Sequence, residues 1–183
     1  MNNKGFILIE MVVVALIFAI VMGAAIGVFT TAFKLQRYNL AYQQLLNQVS
    51  YAMEYMERSI RMAMENNGTC SFSSPNCAGK NNYCNISGSN SIRFVDYKNR
   101  CQTFTLSNQQ IRSNNSGIFS GAGFYLTSDD FRVTMLRFNI SGDAAGSQPR
   151  VTIVMQIESK AATILSKPKI KIQTTVSQRN LNI

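Results

Sequence analysis

The side chains that do most protein chemistry are sparse in this chain. Among its 183 residues there is no histidine, which removes the commonest general base and the commonest metal ligand. What remains is a set of four cysteines (Cys70, Cys77, Cys84 and Cys101), one adjacent acidic pair (Asp129-Asp130), and a lone carboxylate, Glu10, near the start of a long apolar run.

The cysteines lie in an Asn-, Ser- and Gly-rich stretch with no CxxC pair, and their spacing does not fit the usual zinc-ribbon patterns. An even, clustered set of this kind reads as one or two disulfides. That chemistry belongs outside the cytoplasm, provided a membrane-crossing signal precedes it. Three full pairings are open, and spacing does not choose among them. Asp129-Asp130 stands just before a strand pattern and reads as turn chemistry, since Asp bonds nearby backbone in such positions. No catalytic constellation, metal site or cofactor site is expected, and the chain is read as a non-enzyme.

Glu10 needs an explanation. From Met11 to Phe33 no residue is charged, and a helix of that span, at about 1.5 Å per residue, is long enough to cross a bilayer core of about 30 Å. A carboxylate at the centre of such a helix costs on the order of 3 kcal/mol. Either Glu10 sits close to the headgroups or a partner offsets the cost. The small residues Gly23 and Gly27, four apart, fit the small-xxx-small pattern through which membrane helices pack closely.

These residues must be positioned by a short list of elements. Residues 6–33 form the apolar helix, and residues 34–65 continue it as an amphipathic one. Leu35, Tyr38, Tyr42, Leu45, Val49, Met53, Met56, Ile60 and Ala63 recur at steps of three and four and mark one stripe. The stripe is expected to cover a sheet, and Asn66-Asn67-Gly68 to stop the helix. Residues 66–183 form the remaining domain, opening with a polar, cysteine-containing loop over 66–90. Beyond it the period changes to two, with strands expected at Ser91–Tyr97, Cys101–Leu106, Gln109–Ser113, Gly123–Thr127, Phe131–Ile140, Val151–Glu158 and Lys169–Ser177. Within Phe131–Phe138 the apolar parity switches, which predicts a bulge or a strand buried on both faces. Phe94, Tyr97, Phe104, Phe131 and Phe138 fall in these patterns and are expected in the core. The fold class is α+β: a long N-terminal transmembrane or stalk helix packed on an antiparallel β-sheet domain.

The formal net charge is +9, which permits attraction to nucleic acid or anionic lipid. The basic residues are dispersed, with no run of five or six like charges, and read as solvated surface.

Lys4-Gly5 followed by Phe6-Ile7-Leu8-Ile9-Glu10 and the apolar run resembles the processing site of type IV pilins and type II secretion pseudopilins. The resemblance implies a leader of residues 1–5, cleavage after Gly5 by a prepilin peptidase, and methylation of the new N-terminal Phe6. It also implies a role for Glu10 in assembly, beside the α-amino group of a neighbouring subunit. Paired charges offset each other's burial, whereas either alone is strongly unfavourable. Major pilins of this family carry a proline inside the apolar helix, and here Gly27 stands near that point. The helix segment Leu45–Arg61 and the later strands are more similar to the larger minor subunits, of the pseudopilin J or PilW kind.

From that resemblance follows a pilin-like minor subunit that structures or primes a type IV pilus or type II secretion filament. Its implied partners are the prepilin peptidase, other pilin or pseudopilin subunits and an inner-membrane assembly platform. Its implied location is the bacterial inner membrane, crossed once with the N-terminus in the cytoplasm and the domain outside, and then a filament. Two alternatives stand beside it. One is a filament-tip subunit that binds DNA, a surface or a secreted substrate. The other is an unprocessed, single-pass anchored sensor or binding domain, which predicts no cleavage after Gly5 and tolerance of Glu10 replacement.

Overall fold

The structure, a computed structural model, describes residues 8–71, 77, 82–86, 88–115, 123–143, 147–160 and 167–179. The chain divides into two compact units, Met1–Leu40 and Ala41–Ile183. One 54-residue helix, α1 (Leu8–Arg61), contributes to both.

In the first unit the helix is apolar on every side from Met11 to Phe33, and its Val, Ile, Leu and Phe side chains are exposed. By length and composition this is a segment able to cross a membrane. In the second unit the same helix has one face to bury. Ala41, Leu45, Val49, Ala52, Met53, Met56 and Ile60 are the buried positions, followed by Ala63. The expected stripe is thus corrected at its N-terminal end. Leu35, in the first unit, is exposed, and so is Tyr42, where the neighbouring Ala41 takes the buried position instead.

The helix also stops earlier than Asn66-Asn67-Gly68. It ends at Arg61, and Met64 already donates its backbone N–H to the Val95 carbonyl (2.9 Å) in an isolated β-bridge. Arg58 and Arg61 in the last turn complement the negative end of the helix dipole. The terminal carbonyls, which have no partner within a helix, find donors from distant parts of the chain. Tyr83 Oη donates to Ile60 O (2.7 Å), the Arg179 N–H to Arg61 O (2.9 Å), and Gln178 Nε2 to Ala63 O (2.9 Å).

Two antiparallel sheets pack against the buried face. The first runs in the order β1 (Tyr83–Cys84), β2 (Ser91–Val95), β3 (Cys101–Ser107), β4 (Gln110–Asn115), β5 (Phe124–Tyr125). The second runs β6 (Phe131–Ser141), β7 (Arg150–Ser159), β8 (Lys169–Ser177). The β3–β4 connection is tight because Asn108 and Gln109 both take positive φ (51° and 63°), the conformation that two-residue hairpin turns need. The Gln109 carbonyl then accepts from the Val133 N–H at 2.8 Å, which ties this turn to β6.

The bulge anticipated in β6 is present, as a register shift between Val133 and Met135 against β7. It lets Phe131 and Val133 and then Leu136 and Phe138 all face the core despite their opposite parity. The core is one cluster in which helix residues such as Leu45, Met56 and Ile60 meet Phe94, Phe104, Phe138, Ile153 and Met155 from both sheets. Fully burying each such side chain contributes about 1.5–3 kcal/mol.

Candidate functional site

Glu10 lies in the first turns of α1 and is exposed, as are the apolar residues around it. Gly23 and Gly27 lie further along the same exposed helix, and a Cβ built on either meets nothing within 4 Å. Their backbone is therefore open to close approach by another helix. The Gly27 carbonyl accepts from two hydroxyls, Thr30 Oγ1 at 3.0 Å and Thr31 Oγ1 at 2.9 Å, in addition to its place in the helix ladder. Such back-bonding weakens and bends helices locally, so the region around Gly27 combines low helix propensity with hydroxyl donors that compete for its carbonyl. One turn later Arg37 lays its guanidinium over the Phe33 ring, 4.5 Å from the centroid. Gly5 and Phe6, the expected cleavage and methylation positions, lie outside the described residues.

The four cysteines form two disulfides, Cys70–Cys101 and Cys77–Cys84, each with Cα atoms 5.1 Å apart. The first pins the segment after α1 to the start of β3. The second closes a short loop onto β1. All four are accounted for, and among the described residues no His, Cys, Asp or Glu group gathers as a metal site. The 66–90 stretch is not a loop throughout. Tyr83 and Cys84 pair with Phe94 and Arg93 as β1, and Tyr83 is wholly buried. Burial, with the charge of Asp143 behind it, raises the Tyr83 hydroxyl far above its ordinary pKa, so it remains a neutral donor.

The most organised polar group of the second unit was not singled out by sequence reasoning. Asp96, nearly buried in the β2–β3 turn, accepts five hydrogen bonds: from the backbone N–H groups of Lys98 and Arg100 (both 2.9 Å), from Arg100 Nε and Nη2 (3.0 and 2.6 Å), and from Asn115 Nδ2 (3.1 Å). Burial alone would raise its carboxyl pKa. The donors from Arg100, Asn115 and Lys98 outweigh it and hold the group below the usual range. The available signal was the pattern Asp-Tyr-Lys-Asn-Arg between two strands, in which Asp at a turn start is typical. Asn99 supplies the positive φ (56°) that closes the turn.

Asp129-Asp130 does occupy a turn. Ser128 Oγ donates to Asp130 at 2.9 Å, and Asp129 pairs with Lys160 at 2.8 Å. Phe94, Phe104, Phe131 and Phe138 are buried as expected, but Tyr97 is not: it sits in the β2–β3 turn and is 56% exposed. The strand ends at Val95 because Asp96 turns the chain. No family model, curated protein or solved structure matches the chain.

Proposed function

We propose that this protein is a minor pilin-type subunit of a type IV pilus or type II secretion filament. In this reading it is anchored in the inner membrane before assembly, with its N-terminus in the cytoplasm and its disulfide-bearing domain outside. The observation that carries the reading is the exposed, all-round apolar part of α1, with Glu10 as its lone carboxylate and Gly23 and Gly27 on it. An apolar surface of that extent is unstable in water and calls for lipid or neighbouring helices. A carboxylate within it gains from a neighbour's amino group only when subunits stack, which disfavours the unassembled state. The two disulfides support an oxidising location for the domain. A prepilin peptidase, fellow subunits and an assembly platform are the partners this function requires. The protein acts by packing and has no reaction to catalyse.

The test is replacement of Glu10 in the native cell. Glu10→Ala is expected to insert in the membrane and to lose its leader normally, yet to vanish from sheared filaments and from complexes with other subunits. Glu10→Asp should recover part of the incorporation. An alanine variant that assembles like the wild type contradicts the proposal and favours a single-pass anchored domain.

A further inference from the structure

A cavity of about 610 Å³ opens in the second unit, between the last turns of α1 and the β2–β3 end of the first sheet. That volume is within the ~300–1,000 Å³ usual for small-molecule sites. Its chemistry is layered. The polar layer is neutral: Gln102 and Ser113 are both buried and meet each other only at 3.4 Å, and Asn115 has a buried Oδ1 with no hydrogen-bond partner among the described residues. The walls are rings. Tyr55 stands edge-on to Phe124 with centroids 5.8 Å apart, and Tyr97, more than half exposed, adds a third. The charged side chains are mostly basic, with Asp96 paired to Arg100. Arg58 and Lys98 line the cavity, and neither is in an ion pair among the described residues.

Each layer narrows the ligand. Amide and hydroxyl groups both donate and accept, so together they match a ligand rich in hydroxyls, which do the same. Ring faces offer flat apolar area with little entropy to lose, suited to the C–H face of a saturated ring. The cations favour an anionic substituent. Asp96, the one carboxylate among the described residues of the lining, has its two oxygens taken by five donors and its charge offset by Arg100. We propose that this cavity binds an acidic sugar, a hydroxyl-bearing ring carrying a carboxylate, of the hexuronic acid class. The proposal is one of binding: most glycoside hydrolases use two free carboxyl groups, and the described lining offers no such pair. The inference stands apart from the filament reading, because every residue it uses belongs to the second unit.

The experiment uses the full chain in detergent micelles, with sodium D-glucuronate and D-glucose as probes. Saturation-transfer NMR detects contact, and calorimetry gives the affinities. Glucuronate is expected to bind, and glucose at least about ten-fold more weakly. Tyr97→Ala should weaken glucuronate binding by about ten-fold, and Lys98→Glu should abolish the preference over glucose. Both residues lie in the exposed turn, and circular dichroism checks that the variants remain folded. The proposal is overturned if glucuronate gives no signal with the folded wild type, if glucose binds equally well, or if both variants bind glucuronate as the wild type does.

Discussion

Tyr83 donates its hydroxyl hydrogen to the carbonyl of Ile60 at 2.7 Å, so a side chain from the short strand β1 closes the end of the long helix. The helix terminus has no glycine cap of its own. Arg179 and Gln178, from the far end of the chain, supply two further donors to Arg61 and Ala63. Removing only the hydroxyl with Tyr83→Phe keeps the ring packed on Phe94 and leaves the buried carbonyl short of a donor. The expected loss is about 1 kcal/mol, within the ~0.5–1.5 kcal/mol net of one such bond. Urea unfolding of the detergent-solubilised protein should report it as a lower midpoint at unchanged slope.

Asp96 sets a pH dependence. Its native pKa is depressed, so the ionised form is favoured in the folded state. The contribution to stability is complete above the unfolded value of about 3.9 and is lost as pH falls through the lower native value. Asp96→Asn should lower stability at pH 7 and flatten the acid side of the stability profile. Unfolding measured between pH 7 and pH 2 on both proteins checks the two effects together.

The disulfides should differ in weight. Cys70–Cys101 spans 31 positions and Cys77–Cys84 spans 7. Loop-closure entropy then gives roughly 3.7 kcal/mol for the first and about 2.4 kcal/mol for the second. Paired Cys→Ser variants compared by denaturant unfolding should rank in that order.

Gly23 and Gly27 cost the isolated helix stability, and beyond the helix's own backbone nothing among the described residues lies within 4 Å of their Cβ positions. If neighbouring subunits use the gap, Gly23→Leu with Gly27→Leu should leave expression, membrane insertion and the folded domain intact while lowering recovery in filaments several-fold. Quantitative blotting of sheared filaments against whole membranes measures this.

Periodicity made most of the architecture legible. The strand Lys169–Ser177 falls where alternation placed it, and the parity switch in Phe131–Phe138 is the β6 bulge. What escaped depends on partners distant in the chain. The helix ends at Arg61, where donors from Tyr83, Gln178 and Arg179 meet its terminus, and the local signal, Arg58 and Arg61 in the last turn, is no stronger than the basic residues found along many helices. Strand β1 has only two residues in an Asn-rich setting, too short for any period to show. Ala41 and Ala52 are buried but too small to stand out in the stripe, whereas Tyr42 stands out and is exposed. The Asp96 cluster was hidden because Asn115 joins it only across the β3–β4 pairing.

The proposed function makes the apolar part of α1 a processed filament helix. The most direct measurement is the intact mass and N-terminal peptide of the protein taken from its native membrane. The expected product is a chain that begins at Phe6 with a methylated α-amino group. An intact MNNKG leader, in cells whose prepilin peptidase processes other subunits, would contradict it.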